Sequence, residues 1–595
     1  MTYKAPVRDY QFLFGDVLDI NSYNNLPGFA DASLDTVTQI LEEAGKFAEE
    51  VVAPLNRVGD QHGCQLNADH TVTTPPGFKE AYDQMVEAGW PLLGVGEEFG
   101  GQGLPHIVNM AFNEMMSGAN SAFSMYPGLT HGAYSALAVG GTPEQKALYL
   151  PKMGSGEWSG TMNLTEPHCG TDLGMLRTKA VPNGDGSYRI TGQKIWISAG
   201  EHGFTSNIIH LVLARIEGAP EGTKGISLFV VPKFIPDADG NPGERNSLKC
   251  VGLEHKMGIH GNSTCVMAYE EATGWLVGNA NEGLKVMFVM MNNARLGTGL
   301  QGLAIGAAAL QAAQEFAKDR IQGRSLTGPK NPDGPADPIL VHPDVRRMLL
   351  ESRAHIEGGR AFISWVALQA DLAEHAPDDA TREKAQDYMG LLTPIIKAYL
   401  TDKGFKVCVD AMQVHGGSGF TEHYPASQYL RDARITMIYE GTNGVQALDL
   451  VGRKLAAKGG RAIMSYFADV DALVAASADK AALKPYREAL ADTKTKLQEA
   501  TMWLMQNGIS NPDNAGAASL DYLHLFGLTN MAHMWLLMAE AAQTAIDSGN
   551  SDPFYAQKLM TGRVFLERIL PDAGAHLAKL KTGAEALMQV PADAF

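Results

Sequence analysis

The sequence has few cysteines, a deficit of positive charge and no long apolar run. Its five cysteines, among 595 residues, are scattered, odd in number and never spaced as C-x-x-C, which argues against structural zinc or disulfides and indicates a reducing compartment. No run of about 18 apolar residues occurs, so no membrane-spanning helix is expected. The formal net charge of −18 repels nucleic acid and anionic lipid. The N-terminus lacks a long apolar signal core, and we expect a cytoplasmic protein without nucleic-acid or metal ligands.

Helical and β-type patterns follow one another in blocks. Apolar residues between Val37 and Val52 form one helical stripe, which Pro54 should end. Segments such as YRITGQKIWIS and NIIHLVLARI are short, rich in β-branched and aromatic residues, and separated by turn residues. The sequence therefore predicts an α+β multidomain protein. Its predicted parts are an N-terminal extension (1–34), an N-terminal helical domain (35–160), a central β domain (161–282), a helical domain (283–460) and an additional C-terminal helical domain (461–595).

Two segments of the predicted β domain carry candidate ligand groups. In MNLTEPHCGTDLGMLRTKA, Thr165 and Thr171 flank turn residues and present hydroxyl and amide groups outward. Such a loop can bind a flat heteroaromatic ring or a phosphate, although a plain polar connection explains the same residues. In GQKIWISAG, Trp196 lies on an alternating strand and is followed by Ser198. A strand tryptophan is usually a core residue, but this one could equally flank a planar cofactor.

The segment MQVHGGSGF contains three glycines after an apolar helix: Gly416, Gly417 and Gly419. It is not a Rossmann fingerprint, because the preceding pattern is helical and the G-x-G-x-x-G spacing is absent. The glycines would let the backbone approach a pyrophosphate, and a plain helix C-cap explains them as well. His415 is expected to be a structural residue.

The segment MIYEGTNGVQALDL places Glu440 behind an apolar run and before a glycine. Asn443 and Gln446 resemble a capping box that opens the following helix, whose N-terminus would offer free amide groups to an anion. A carboxylate in this setting is costly unless it is used. From this stretch alone, a capping or surface carboxylate paired with Arg431 or Arg434 is the favoured explanation of Glu440.

Taken together, these motifs resemble the acyl-CoA dehydrogenase family of flavoproteins over about residues 35–455. The matching segments, in order, are GVGEEFGGQGLP, LTEPHCGTDL, ITGQKIWIS, KMGIHGNSTC, AKDRIQGRS, MQVHGGSGF and YLRDARITMIYEGTNGVQ. The length, the YKAPVRD segment and the helical tail are similar to the bacterial subgroup that includes 3-methylmercaptopropionyl-CoA and long-chain acyl-CoA dehydrogenases. The resemblance implies a barrel-like central domain, a four-helix-bundle catalytic domain, bound FAD, an acyl-CoA substrate, a homodimer and an electron-transfer flavoprotein as electron acceptor.

The resemblance also assigns roles to individual residues. Glu440 matches the catalytic base. The residues that match FAD contacts are Leu164, Thr165, Trp196, Ser198, Arg320, Gln322, Gln413, Gly416, Gly417, Thr442 and Asn443, of which Arg320, Gln322, Gln413 and Gly417 would reach the FAD of a neighbouring subunit. The residues that match substrate contacts are Thr171, Asn292, Arg295, Tyr439 and Gly441. The chain departs from the family pattern at Asn292, where aspartate is common, and in RIQGR.

The implied reaction removes an α-proton and a β-hydrogen from an acyl thioester and gives a trans-2-enoyl-CoA, as in fatty acid β-oxidation. A glutamate with its ordinary pKa of about 4.3 is too weak a base, so apolar surroundings must raise it. The sequence does not choose between two kinds of acyl group in the substrate, 3-methylmercaptopropionyl and medium-chain or long-chain fatty acyl. Two alternatives are an acyl-CoA oxidase, which passes electrons to oxygen, and a non-catalytic DNA-binding or scaffold member of the family, which the negative charge disfavours.

Overall fold

Helices build both ends of the chain and strands build its middle, in a computed structural model that describes residues 3–595. This order confirms the α+β multidomain architecture expected from the sequence. A short helix, α1 (Val7–Gln11), precedes the first helical unit. That unit contains α2 (Leu34–Phe47), α3 (Pro54–His62), α4 (Phe78–Glu87), α5 (His106–Ala119), α6 (Ser121–Gly140) and α7 (Pro143–Ser155).

The bounds of α2 and α3 follow from their capping residues. The Ser33 side chain accepts a hydrogen bond from the N–H of Thr36 at 3.2 Å and caps α2. After α2 the chain makes a π-helical turn, Ala48–Val52, and Pro54 then opens α3. Proline lacks an N–H, so it suits the first position of a helix and not its interior. The first helical stretch ends at Val52, before Pro54 as predicted, but Pro54 opens a further helix instead of stopping the helical path, and the backbone of Ala53 between them is itself helical.

The strands in residues 3–595 form one seven-stranded sheet that closes on itself and two separate pairs. The strands are β1 (Gln65–Leu66), β2 (Val72–Thr73), β3 (Trp158–Asn163), β4 (Lys179–Pro182), β5 (Ser187–Ser198), β6 (Asn207–Ile216), β7 (Ile226–Pro232), β8 (Phe234–Pro236), β9 (Pro242–Arg245), β10 (Leu248–Leu253) and β11 (Thr264–Val277). The separate pairs are β1 with β2 and β8 with β9. Pairing runs from β11 through β5, β4, β6 and β7 back to β11, with β10 beside β11 and β3 beside β6. Strand β6 pairs in parallel with β3 and β4. The central domain is therefore barrel-like, as the family resemblance implied.

Strand β6 shows how this domain joins the helices. Leu211 and Leu213 pack in a cluster with residues of α6 and α7, whereas Val212 and Ala214 pack among residues of the other sheet face. Successive side chains of a strand point to opposite faces, and both faces are covered here. This explains the nearly continuous apolar run in NIIHLVLARI and fixes the β domain against the N-terminal helices.

The next unit is built on three long helices. Its helices are α8 (Gly283–Asp319), α9 (Pro343–His375), α10 (Asp379–His415), α11 (Ala426–Arg434) and α12 (Asn443–Asp449). Helices α8 and α10 touch backbone to backbone, since a Cβ added at Gly404 would lie 2.0 Å from the carbonyl oxygen of Gly302. This contact fixes α10 relative to α8, and residues of both helices surround Glu440.

The C-terminal helices share one apolar core with this bundle. They are α13 (Arg461–Ala476), α14 (Lys484–Asn507), α15 (Pro512–Asp547), α16 (Pro553–Val564), α17 (Asp572–Leu580) and α18 (Glu585–Met588). On α15, the ring of His533 lies 5.4 Å from Trp365 of α9, and the ring of His524 lies 5.8 Å from Tyr399 of α10. Helix α15 is therefore the main contact between the C-terminal helices and the rest of the molecule.

The N-terminal segment packs against the C-terminal helices. The ring of Phe12 lies 5.4 Å from that of Phe554. The buried ammonium group of Lys558 lies 2.5 Å from Asp9 and 2.9 Å from Glu357. Chain segments far apart in sequence are thus joined by both apolar and charged contacts. No helix in residues 3–595 combines the length and apolar character needed to cross a membrane.

Candidate active site

A cavity of about 1010 Å³ lies where the N-terminal helices, the β domain and the long-helix bundle meet. Its walls include the loop after β3, the end of β5, the middle of α8 and the turn before α12. Among the residues proposed from the sequence, those that line it are Leu164, Thr165, Thr171, Trp196, Ser198, Arg295, Tyr439, Glu440, Gly441 and Thr442. The structure therefore brings most of the candidate residues to one site.

Glu440 lies on a sharp turn that its neighbours hold in place. Both Glu440 and Gly441 have left-handed backbone conformations, with φ of 58° and 83°. This conformation is unusual for a residue with a side chain and is typical of functional sites. Thr442 caps α12 by accepting a hydrogen bond from the N–H of Val445 at 3.3 Å. Gln446 donates from its side-chain amide to the carbonyl oxygen of Glu440 at 3.0 Å.

The predicted capping box of Asn443 and Gln446 is therefore wrong. Thr442 is the cap, the Gln446 side chain turns back to Glu440, and Asn443 is the first residue of α12. The buried Asn443 side chain bonds to α10: it accepts from Lys397 and donates to Asp402. The sequence pattern was misread because these two amides bond across the turn and to a neighbouring helix rather than to the helix N-terminus.

Burial and two cations set the protonation of Glu440. Burial raises the pKa of Glu440 to about 7, and the positive charges of Arg295 and Lys397 limit this rise. Lys397 is buried in turn, which lowers its pKa to about 8, while the charge of Glu440 acts in the opposite direction. Arg295 lies 3.7 Å from Asp449, and its buried Nε has no hydrogen-bond partner within residues 3–595.

The surface-carboxylate explanation of Glu440 is also wrong. Arg431 binds Asp60, with 2.7 Å between Nη1 and Oδ1, and Arg434 stacks over Phe405. Neither arginine pairs with Glu440. A carboxylate with a pKa near neutrality at a cavity wall is suited to general-base chemistry.

Trp196 forms a flat, open wall of the cavity. It is 61% exposed and has a positive φ of 60°, so the core explanation of this strand tryptophan is wrong. The register of β5 against β11 shifts here: Ile197 faces Cys265, but Lys194 faces Met267. One extra residue on β5 makes a bulge, which re-aims the indole out of the strand pattern.

The loop after β3, which lies beside Trp196, is supported by a buried ion pair between Lys194 and Glu166 that was not predicted from the sequence. The ammonium of Lys194 donates to the carbonyl oxygen of Leu164 at 2.9 Å and to Glu166 at 2.8 Å. The N–H of Ile195 donates to the carbonyl oxygen of Thr165 at 2.9 Å. An open indole beside fixed hydroxyl and amide groups fits a planar heteroaromatic cofactor. A lysine inside the apolar alternation of β5 was the available signal.

Comparisons with known proteins agree with this geometry. Family models for the N-terminal, middle and C-terminal domains of acyl-CoA dehydrogenases match residues 35–157, 161–272 and 281–455, and one described as acetyl-CoA dehydrogenase C-terminal like matches residues 466–591. The 3-methylmercaptopropionyl-CoA dehydrogenase of Ruegeria pomeroyi is 42% identical over 99% of both chains.

The chain belongs to the acyl-CoA dehydrogenase family. The members of this family are oxidoreductases that act on the CH–CH group of acyl-CoA, and they bind FAD. The broad-specificity linear acyl-CoA dehydrogenase FadE5 of Mycobacterium tuberculosis is 35% identical over 100% of both chains.

Solved structures share this fold. The FAD complex of an acyl-CoA dehydrogenase from Bacillus anthracis has a TM-score of 0.74 at 21% identity, over 92% of this chain and 88% of that one. A chain from a study of the electron transferring flavoprotein of Acidaminococcus fermentans has a TM-score of 0.58 at 27% identity, over 71% of this chain and 98% of that one.

Several residues assigned by family resemblance lie outside the cavity. Asn292 is exposed on α8, and Asn443 is buried against α10. The others are exposed where α8 and α10 end: Arg320, Gln322, Gln413, Gly416 and Gly417. The family resemblance assigns Arg320, Gln322, Gln413 and Gly417 to the FAD of a neighbouring subunit, and this role stays a prediction.

The end of α10 has a structural explanation of its own. Gly416 is the C-cap, with φ of 59°, so the simple capping explanation of this glycine holds. The Nδ1 atom of His415 lies 2.7 Å from the carbonyl oxygen of Ala411, and its ring lies 4.5 Å from that of Phe316 on α8. His415 thus joins two helix ends, as expected of a structural residue.

One cluster in residues 3–595 has the side chains of a metal site: Glu166, His168 and Cys169 lie close together. Glu166 already accepts hydrogen bonds from Lys194 and Thr178, at 2.8 and 2.6 Å. Because its charge is balanced by Lys194, this cluster is better explained as the support of the loop.

Proposed function

We propose that the chain catalyses FAD-dependent α,β-dehydrogenation of an acyl-CoA thioester to the trans-2-enoyl-CoA, with Glu440 as the base. The observation that carries this proposal is Glu440 itself. It stands on a left-handed turn at the cavity wall, with a pKa of about 7, in the cavity that Trp196 and Thr165 also line. Belonging to the acyl-CoA dehydrogenases supplies the class of substrate.

Glu440 would take the α-proton onto its carboxylate. Its raised pKa makes it a stronger base than an ordinary glutamate, and the charges of Arg295 and Lys397 keep an ionised fraction near neutral pH. Bound FAD would supply N5 as the acceptor of the β-hydrogen as hydride. Leu164, Thr165, Trp196 and Ser198 would hold the isoalloxazine ring.

The backbone N–H of Glu440 would stabilise the negative charge that develops on the thioester oxygen as the enolate forms. The N–H of Glu440 donates to no group within residues 3–595. It is therefore available to the thioester oxygen, and a preorganised donor of this kind is worth about 3 kcal/mol in a dry site. The left-handed turn thus places the base and a donor in one residue.

We propose a linear acyl group as the substrate chain, with 3-methylmercaptopropionyl-CoA and saturated fatty acyl-CoA as the candidates. The names of the relatives from R. pomeroyi and M. tuberculosis support this choice. Gly128 of α6 lines the cavity, and no heavy atom of residues 3–595 lies within 4 Å of an added Cβ, so it leaves room there. Gly118, by contrast, packs on the ring of Tyr3 and serves helix packing.

Three further features belong to the same proposal. An electron-transfer flavoprotein would reoxidise the enzyme, and a homodimer would bring the exposed ends of α8 and α10 to a second subunit. The cytoplasm is the proposed compartment, which suits the five free thiols.

The test is a panel of acyl-CoA substrates, including a thioether acyl chain, with the FAD-loaded protein. We expect enoyl-CoA to form with an electron-transfer flavoprotein or an artificial acceptor and little hydrogen peroxide to form in air. Rapid turnover with oxygen alone would make the protein an oxidase. Failure of every acyl-CoA to reduce the flavin would overturn the proposal.

A further inference from the structure

A line of buried polar contacts leaves the catalytic turn and enters α10. Lys397 donates from its buried ammonium to the Oδ1 atom of Asn443 at 2.8 Å. The Nδ2 atom of Asn443 donates to the Oδ1 atom of Asp402 at 2.7 Å and to the Oγ1 atom of Thr401 at 3.0 Å. Asn443 therefore joins the first turn of α12, next to Glu440, to a cation and an anion of α10.

The line continues into the C-terminal helices. The other carboxylate oxygen of Asp402, Oδ2, lies 3.0 Å from the Nε2 atom of His524 on α15. The ring of His524 stacks on that of His576 of α17, with centroids 5.2 Å apart and planes 10° apart. The Nδ1 atom of His576 lies 2.7 Å from Asp521. Residues of α15 and α17 thus complete a chain of contacts that begins beside the base.

We propose that His524 is a positioning residue for Glu440: from the C-terminal helices it fixes Asp402, which orients Asn443 and through it Lys397 and the catalytic turn. This inference rests on the proposed function in one respect only, that the positioned group is the base of the reaction.

The side-chain amide of Asn443 has one orientation that satisfies both of its charged neighbours. Its Oδ1 atom must face Lys397 and its Nδ2 atom must face Asp402. A flipped amide would place two donors together at Lys397 and two acceptors together at Asp402. Within residues 3–595, the Lys397 ammonium donates to Asn443 alone. The position of the charge that faces Glu440 therefore depends on the amide of Asn443. The shortest hydrogen bond of its Nδ2 atom is the one to Asp402, beside longer ones to Thr401 and to the carbonyl oxygen of Ala398.

The carboxylate of Asp402 also needs a partner that holds it in one orientation. Its side chain is one-fifth exposed, so water competes for it, and the charge of Lys403 also attracts it. A donor at Oδ2 holds the carboxylate in the position that leaves Oδ1 for Asn443. His524 provides this donor through Nε2. Burial lowers the pKa of its ring, the hydrogen bond and charge of Asp402 raise it, and the charges of Lys403 and His576 lower it; the net shift is downward, which keeps the ring neutral. Since Nδ1 has no partner in residues 3–595, the proton belongs on Nε2.

The test compares three variants of the full-length protein. His524→Leu removes the donor, and His524→Gln restores an N–H near the position of Nε2. His533→Leu is the matched control, because His533 is buried on the same helix and packs on Trp365 and Tyr466 without contact to Asp402. Each variant is measured by hydrogen exchange of the peptide 437–449 and by anaerobic flavin reduction with a good acyl-CoA.

In His524→Leu we expect exchange in 437–449 to quicken about fivefold or more. We also expect flavin reduction to slow about tenfold at saturating substrate, because small misplacements of a base are costly. FAD content and acyl-CoA affinity should be kept. His524→Gln should restore the exchange rate and the rate of flavin reduction to within about twofold of the wild-type values. His533→Leu should change neither rate, although it should lose about as much stability as His524→Leu. Unchanged exchange in His524→Leu, or equal effects of the two leucine variants, would overturn the inference.

A double variant tests the path. With Asp402→Asn in place, adding His524→Leu should slow flavin reduction no further, because both changes break the same line of contacts. Additive losses would show that His524 acts by another route. The exchange measurement needs no turnover, so it decides the inference even if no acyl-CoA reduces the wild-type flavin, an outcome that would overturn the proposed function alone.

Discussion

Gln446 reaches back from α12 and donates a hydrogen bond to the carbonyl oxygen of Glu440, at 3.0 Å. The Gln446 side chain is buried, and this bond ties the turn at Glu440 to the helix that follows it. The turn is thereby closed on itself, with Thr442 as the helix cap between the two residues.

Replacing Gln446 with methionine keeps the volume and removes this bond. The partly buried carbonyl of Glu440 then loses a partner, and we expect the free energy of unfolding to fall by about 1 kcal/mol. The rate of flavin reduction should fall as well, because Glu440 is less firmly placed. Denaturant unfolding and anaerobic stopped-flow absorbance measure the two effects, and unchanged values for both would show that the bond is dispensable.

Gly441 permits the turn, and alanine at this position should damage it. The residue has φ of 83°, and an added Cβ would lie 2.7 Å from the side-chain nitrogen of Gln446. We expect Gly441→Ala to cost about 1–3 kcal/mol of stability and most of the activity. Gly444→Ala is the control: it lies in α12, where an added Cβ meets only Thr442 at 3.9 Å, and it should retain activity. Equal effects of the two variants would contradict this account of the turn.

The pH dependence follows from the raised pKa of Glu440. The base must be ionised, so the rate of flavin reduction should rise with pH through about 7 and level off above. The contribution of Glu440 to the stability of the fold changes with pH in the opposite direction. A carboxyl whose pKa is higher in the folded state stabilises the fold at low pH, and this contribution is lost as the pH rises from about 4.5 to about 7. Glu440→Gln should therefore raise the melting temperature more at pH 8 than at pH 5. A rate profile that levels off below pH 5 would contradict the assignment.

Lys558 should be essential to the joint between the two ends of the chain. Its buried ammonium faces Asp9 and Glu357. Lys558→Met removes this cation, while Asp9 keeps its ion pair with Arg360 and Glu357 keeps its ion pair with Arg353. We therefore expect a loss of about 1–3 kcal/mol in the free energy of unfolding.

The exposed pair of Arg563 and Glu567 provides a control, since Arg563→Ala should cost at most about 1 kcal/mol. Urea unfolding measures both variants. If Lys558→Met and Arg563→Ala lowered the free energy of unfolding by similar amounts, Lys558 would have no special role in joining the two ends of the chain.

The sequence predicted the fold where patterns are local and regular. The stripe ending before Pro54 and the strand-rich middle part follow from periods that one element carries within itself. Glu440 was recognisable through its family motif. The position of Trp196 was left open between core and cofactor wall, because the bulge that exposes it depends on the pairing of β5 with β11.

Long-range contacts set the features that the sequence did not predict. The Asn443 amide faces α10 rather than its own helix end, and Lys397 comes close to Glu440 only because α10 packs beside the turn. A lysine within the apolar stretch TPIIKAYL was the available signal, because such a buried charge needs a partner. Nothing local indicates which partner it finds.

Glu440→Gln in an anaerobic single-turnover experiment tests the central claim most directly. Glutamine keeps the size of the side chain and the backbone N–H, and it removes the base. With a good acyl-CoA substrate, FAD and acyl-CoA binding should survive, while the rate of flavin bleaching falls by a factor of about 100 or more. Bleaching at a rate close to that of the wild type would contradict the account and would remove Glu440 from the mechanism.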